Sequence, residues 1–192
     1  MRHLIVVDPH TVALEAICAV PVEMPTAVPV LAQALGEVRD DTVVAAPDLG
    51  AVKPAEHYGR LLSRPVAVVR KTRLSGTSVI AEELVGDIRD RPVVIVDDMI
   101  STGGTIEAAA EVVADHGAAP EIVVVATHGL FVGSAAERLG RTTIQRVLVT
   151  DTVAQPTRPE MPLSVCSVAP LLADVIGRLQ RDEPLDDLLA RA

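Results

Sequence analysis

The sequence predicts an α/β fold, a doubly wound, mainly parallel sheet with helices on both faces. Short apolar runs alternate along the chain with segments of helical periodicity. The runs are continuous and do not alternate with polar residues, the pattern of strands buried on both faces and so of a mainly parallel sheet. At 192 residues and 49% hydrophobic content, the chain can bury a substantial core as one domain, or as one domain with an appendage.

Taken in order, strands are expected at "HLIVVD" (3–8), "TVVAA" (42–46), "VAVVR" (66–70), "VVIVD" (93–97), "EIVVVAT" (121–127), "RVLVT" (146–150) and "LSVCS" (163–167). Helices are expected at 28–38, 54–63, 105–117, 134–140 and 169–180. Pro21, Pro25 and Pro29 rule out a central strand or a helix interior across "VPVEMPTAVP" (20–29), which reads as a linker. Residues 1–25 then form an N-terminal arm strand with its proline-rich linker, and 26–192 form the domain proper. An arm strand with unpaired backbone groups seeks a sheet edge, which favours a homodimer or higher oligomer over a monomer.

Composition removes several classes of function. A formal net charge of −9 leaves no broad basic surface for nucleic acid or an anionic membrane. Nothing approaches a membrane span, and the N-terminus is too short and polar for a signal peptide, so a cytoplasmic protein is expected. Cys18 and Cys166 lack a CxxC partner and read as free thiols. Tyr58 and Phe131 stand without any Trp, leaving little with which to stack a nucleobase.

The chemistry concentrates in "VVIVDDMISTGGT" (93–105). Ser101 and Thr102 offer hydroxyls, Gly103 and Gly104 let backbone N–H groups turn inward, and Thr105 opens a helix whose N-terminus favours an anion. That stretch alone is equally an ordinary capped βα turn. Asp97 and Asp98 change the reading, because carboxylates ending a buried strand are costly unless paired or used. Sugar hydroxyls can donate to them, and Mg²⁺ can neutralise them. A phosphorylated pentose, with its vicinal diol over the acids and its phosphate in 101–105, satisfies both ends.

This segment resembles the signature of the phosphoribosyltransferase superfamily, in which the acids hold ribose hydroxyls and the loop holds the 5-phosphate. Together with "DPH" (8–10), "APDLGAVK" (46–53), "RKTR" (70–73), "THGLFVGSAAERL" (127–139) and "VTDT" (149–152), the chain resembles the C-terminal half of ribose-phosphate diphosphokinases. The resemblance implies a phosphoribosyltransferase-like fold and transfer of a diphosphoryl group from ATP to ribose 5-phosphate, giving 5-phosphoribosyl 1-diphosphate (PRPP). It implies Lys71 and Arg73 as catalytic cations, flanked by a mobile "LSGTS" loop (74–78), and Asp48, Leu49 and Gly50 as a diphosphate loop. It also implies His10 and Asp48 as Mg²⁺ ligands. His128 reads as a hydrogen-bonded structural residue, and His3, His57 and His116 as surface or packing positions.

The sequence departs from that pattern at Ala51 and Pro54, where the family carries a glycine and a basic residue. The family's first domain, which supplies most adenine contacts, lies outside the matched half, so the chain is expected to act with a separate N-terminal-half partner or to be a fragment. Other readings are a PRPP-using phosphoribosyltransferase or hydrolase, and a non-catalytic regulatory subunit of a PRPP synthetase.

Overall fold

The computed structural model describes residues 2–73, 80–156 and 159–189. Its centre is a seven-stranded sheet built from β3 (Val43–Ala46), β4 (Val66–Arg73), β5 (Ile80–Val85), β6 (Val93–Ile100), β7 (Ile122–Gly129), β8 (Ile144–Thr150) and β9 (Leu163–Cys166). The strand order is β5-β4-β3-β6-β7-β8-β9, parallel throughout except that β5 runs antiparallel to β4.

Successive residues of each continuous apolar run serve opposite faces. Ile95, Val124 and Val147 pack against Ile106, Val113 and Leu139 of α4 (Gly104–Asp115) and α5 (Ala135–Gly140). Val44, Val96 and Leu148 pack against Leu31, Tyr58 and Val175 of α2 (Val28–Leu35), α3 (Val52–Leu62) and α6 (Ala169–Gln180). Two apolar layers sandwich one sheet, as the unbroken runs require. Among the described residues no helix is long and apolar enough to cross a membrane.

Strand order creates the crevice that matters. From β3 the chain moves outward to β4 and β5, then returns to place β6 on the other side of β3. Connections therefore leave the carboxyl ends of β3 and β6 in opposite directions, and the gap between them is a topological switch point. β3 stops at Ala46 while β6 continues to Ile100, paired only with β7 at Met99↔His128 and Ile100↔Gly129. This added pairing carries β6 past the expected end at residue 97.

The N-terminal segment departs from expectation. Its strand shortens to β1 (Leu4–Ile5), which pairs in parallel with β2 (Val22–Glu23) of the same chain, apart from the main sheet. A proline lacks an N–H but keeps its carbonyl: Leu4 donates to Pro21 at 2.9 Å, Val6 to Glu23 at 2.9 Å and Asp8 to Pro25 at 3.1 Å. The arm thus meets its partner inside the stretch read as a linker, and the argument from a free arm to a second chain loses its basis. A short helix, α1 (Leu14–Ile17), follows. β5 also escaped the sequence reading, since Glu82 and Glu83 interrupt "IAEELV" (80–85); as an antiparallel edge strand it tolerates charge.

Candidate functional site

β6 delivers Asp97 and Asp98 to the crevice just where β3 has ended. After Ile100 the chain turns through residues 101–103 into α4. Gly103 lies at φ +77°, a left-handed conformation that L side chains rarely adopt, and this turn aims the start of α4 back at the crevice. α4 has no side-chain cap, and among the described residues its first N–H groups have no acceptor outside the helix. Leu130 and Phe131 donate N–H to Ile100 O at 3.0 Å, and Val132 donates to Ser101 O at 3.0 Å, tethering the loop to the chain after β7.

One cavity of about 380 Å³ collects most of the residues singled out in the sequence. Its lining includes His10, Asp48, Gly50, Asp97, Asp98 and all of 101–105, together with Met99 and Ile106, which the sequence reading did not single out. Leu49, 66% exposed, stands outside that lining.

Electrostatics make the acid end unusual. Burial, with added repulsion from Asp98 and Asp48, pushes Asp97 up to about 7, although the Asp98 N–H donates to its Oδ1 at 2.9 Å. His10 Nδ1 lies 2.7 Å from Asp98 Oδ2, and this hydrogen bond raises the imidazole above its ordinary range. Hydroxyl donors or a cation placed here would relieve the crowded carboxylates.

Asp48 plays a local part. Its Oδ1 accepts from Gly50 N at 2.8 Å and Ala51 N at 3.2 Å, so the Gly50 N–H of the expected diphosphate loop and that of the following residue are both turned onto Asp48. Ala51, 3% exposed, packs into the core beside α3. Among the described residues, no three His, Cys, Asp or Glu side chains converge closely enough to hold a metal unaided. Mg²⁺ suits such a place better than a metal needing a full protein cage, because it keeps waters and binds through one or two carboxylates plus ligand oxygens.

The signal hidden in sequence is Asp8. Its carboxylate accepts from Ala27 N and Thr127 Oγ1, both at 2.8 Å, and its carbonyl lies 3.0 Å from His128 Nε2. His128 Nδ1 meets Thr152 Oγ1 at 2.8 Å. These bonds pin the turn that presents His10 to the ends of β7 and β8. The adjacency of Asp8 to His10 was its one sequence clue.

Lys71 and Arg73 end β4, but their side chains lie outside the described residues, as does the 74–78 loop. Tyr58 and Phe131 are 1% and 3% exposed and belong to the two core layers, so neither ring is available to a nucleobase. Cys18 and Cys166 are free, partly exposed thiols.

The phosphoribosyl synthetase-associated domain family model matches residues 80–190. The chain is 36% identical over 181 residues to a ribose-phosphate pyrophosphokinase of Caldanaerobacter subterraneus, covering 93% of this chain and 57% of that protein. It is 35% identical over 189 residues to the Aquifex aeolicus ribose-phosphate pyrophosphokinase, covering 97% and 60%. The phosphoribosylpyrophosphate synthetase of Mycobacterium smegmatis superposes with a TM-score of 0.83 at 33% identity, over 94% of this chain and 59% of that one. Orotate phosphoribosyltransferase of Aeropyrum pernix, at TM-score 0.52 and 21% identity over 79% and 74%, shares the fold alone. The chain thus spans somewhat more than half the length of the synthetases it matches. With the family model matched over more than half its residues, the chain belongs to the phosphoribosyl synthetase-associated domain family.

Proposed function

We propose that the chain is the pentose-phosphate-binding half of a ribose-phosphate diphosphokinase-type transferase, holding ribose 5-phosphate or PRPP at 97–105. The observation that carries this is the union, in one cavity, of two strand-end acids and an uncapped helix N-terminus with its Ser/Thr/Gly turn. Along the strand the acids precede the loop by roughly 10 Å at about 3.3 Å per residue. A five-carbon sugar phosphate spans that length. Its diol donates to Asp97 and Asp98, and its phosphate accepts from Ser101, Thr102, Thr105 and the N–H groups of 103–105.

In this reading the 1-hydroxyl of the pentose attacks the β-phosphorus of ATP, AMP departs, and the diphosphoryl group stays on the sugar. Lys71 and Arg73 stabilise that group in transit, since such transfers depend chiefly on positioning and charge neutralisation. Asp48 and His10 are the residues that would hold Mg²⁺, which supplies charge neutralisation at the diphosphate. His10 has Nε2 left for that role, and only after losing the proton that Asp98 favours. Residues 1–25 serve as an arm that brings His10 to the domain formed by 26–192.

ATP is the substrate this chain is least equipped to hold. With Tyr58 and Phe131 both buried, adenine has no ring to stack on within the chain. The reading therefore places adenine recognition in an N-terminal half outside these 192 residues, in a cytoplasmic assembly that serves nucleotide synthesis. The same buried rings favour a second reading, a regulatory subunit that binds pentose phosphate beside a complete synthetase.

Calorimetric titration with ribose 5-phosphate, PRPP and ATP, each with Mg²⁺, tests this. The pentose phosphates are expected to bind. ATP is expected to bind one to two decades more weakly than at a site with a stacking ring, which contributes roughly 1–3 kcal/mol per base. Absence of any ribose 5-phosphate binding sinks the reading. Once a synthetase N-terminal half is supplied, Lys71→Ala and Arg73→Ala should lose turnover and keep pentose affinity. No turnover by the unsubstituted chain with that half supplied favours the regulatory subunit, and turnover that survives both substitutions removes Lys71 and Arg73 from the chemistry.

A further inference from the structure

We propose that the face of α3 bearing Lys53, His57 and Arg60 is a second anion site, taking a phosphate-type oxyanion in a cavity beside the first. These residues follow the i, i+4, i+7 spacing that aligns side chains on one helix face. All three line a cavity of about 260 Å³ between α3 and the N-terminal segment that includes Asp8, Pro9 and His10. The two cavities share His10, Gly50, Pro54, Asp97 and Asp98 and so are contiguous.

What singles out this face is that three side chains without internal partners meet in one cavity. Arg64, Arg91 and Arg146 donate to carbonyls or carboxylates of the protein, as do other guanidinium groups. Among the described residues, the side chains of Lys53, His57 and Arg60 have no hydrogen bond or ion pair. The nearby carboxylates are committed elsewhere: Asp8 to Ala27 N–H and the Thr127 hydroxyl, Asp98 to His10, and Asp97 to the Asp98 N–H.

Like charges stacked on one helix face repel, and the effect registers on His57, whose imidazole is held below its ordinary range by burial and then by Arg60, with the Asp8 carboxylate across the cavity offsetting part of it. In a chain of net charge −9, a cationic face left unpaired within a cavity is complementary to an anion. The cavity is too small for a folded partner. A guanidinium fork, an ammonium and an imidazole within one small space suit a tetrahedral phosphate oxyanion. Two sources share that chemistry: free phosphate, and a phosphoryl group reaching over from a ligand in the first cavity. Only the second source depends on the pentose-phosphate reading.

The test is amide NMR on the full chain titrated with inorganic phosphate. A saturable shift of α3 amides is expected. In Lys53→Ala/Arg60→Ala its midpoint should rise about a hundredfold, roughly tenfold for each charge-assisted bond lost. Both positions are exposed, so folding is preserved, and Lys53→Arg/Arg60→Lys should stay within a few-fold of wild type. Shifts confined to 101–105, or α3 shifts that persist unchanged in the double alanine variant, overturn the proposal. A titration with PRPP then separates the sources. If PRPP displaces phosphate from α3, the occupant is the ligand's own diphosphate; if phosphate still binds, the site takes the free anion. Amides of 97–105 that ignore ribose 5-phosphate would sink the pentose reading and leave the phosphate result on α3 standing.

Discussion

One wall of the main cavity comes from the centre of the sheet and the other from short segments near its carboxyl edge, and different forces hold them. β6 lies between β3 and β7 with Val94, Ile95 and Val96 at 2% exposure or less, and α4 buries Ile106, Ala109 and Val113 beneath it. That wall is fixed by burial on two faces and by the tethers to Ile100 and Ser101. The facing wall, made of residues 8–10 and 48–50, depends on individual hydrogen bonds accepted by Asp8 and Asp48, with Ala51 alone anchored in the core. Packed sheet centres open only with the whole domain, whereas segments held by a few individual hydrogen bonds can move locally. The end formed by residues 97–105 is therefore the rigid end, and the end with His10 and Asp48 is the adjustable one.

The rigid wall carries the largest expected effect. Burial raises Asp97 from 3.8 to about 7, so the folded chain favours the neutral acid while the unfolded chain ionises near 3.8. Stability should be unaffected below the lower value, fall as pH rises between the two, and level off above about 7. At about 1.36 kcal/mol per pKa unit, that loss is on the order of 4 kcal/mol. Asp97→Asn retains an acceptor for the Asp98 N–H and cannot ionise. In urea unfolding without ligand it should exceed wild type in stability at pH 8 and match it near pH 4, while losing pentose affinity. Equal stability of the two chains at pH 8 would show that the acid is better solvated than its burial implies.

Thr105→Val comes next. It replaces a hydroxyl at the rigid end with an isosteric methyl, and should weaken ribose 5-phosphate binding by roughly 1–3 kcal/mol, the scale of a charge-assisted hydrogen bond. Because α4 already lacks a side-chain cap, the unfolding midpoint should stay unchanged. Calorimetry showing wild-type affinity would move the phosphate away from this loop.

Asp8→Ala tests the adjustable wall. It removes the acceptor for Ala27 N–H and for Thr127, which is 3% exposed, at a cost of about 1–3 kcal/mol. Asp8 lies at φ +38°, so Asp8→Gly should be milder than Asp8→Ala. If the walls are independent, both variants lower Mg²⁺-dependent PRPP affinity yet leave ribose 5-phosphate binding nearly intact. An equal loss of both affinities would mean that the two walls move as one.

The two walls were not equally legible in the sequence. Residues 93–105 announce themselves because strand, acids, glycine turn and helix start are contiguous, and local chemistry fixes their geometry. The continuous apolar runs likewise gave away the sheet. The second wall is assembled over long separations: Asp8 reaches Thr127, His128 reaches Thr152, and β1 finds β2 through the carbonyls of Pro21 and Pro25. Prolines argued against a strand at 20–29 because they lack N–H groups, while the carbonyl half of the ladder left no mark in residue type. The buried Tyr58 and Phe131 were equally invisible, since an aromatic ring reads alike whether it fills a core or lines a site.

The smallest expected effect belongs to the contact that joins the walls, His10 to Asp98 at 2.7 Å. His10 is 72% exposed at its side chain and Asp98 27%, so the pair falls in the surface range of roughly 0–1 kcal/mol. Its sign is still testable. The folded imidazole is raised above 6.5, so its stabilisation is fully present below that value and lost as pH rises through the raised one. A double-mutant cycle of His10→Ala and Asp98→Asn, run in chelator, should give measurable coupling at pH 6 and almost none at pH 9. Equal coupling at both would mean that a neutral imidazole makes the bond and that charge contributes nothing. Coupling confined to the acid side would mean that the contact bridges the two walls electrostatically. In the proposed reading, a sugar hydroxyl arriving at Asp98 must then displace His10, which would free its ring for a diphosphate.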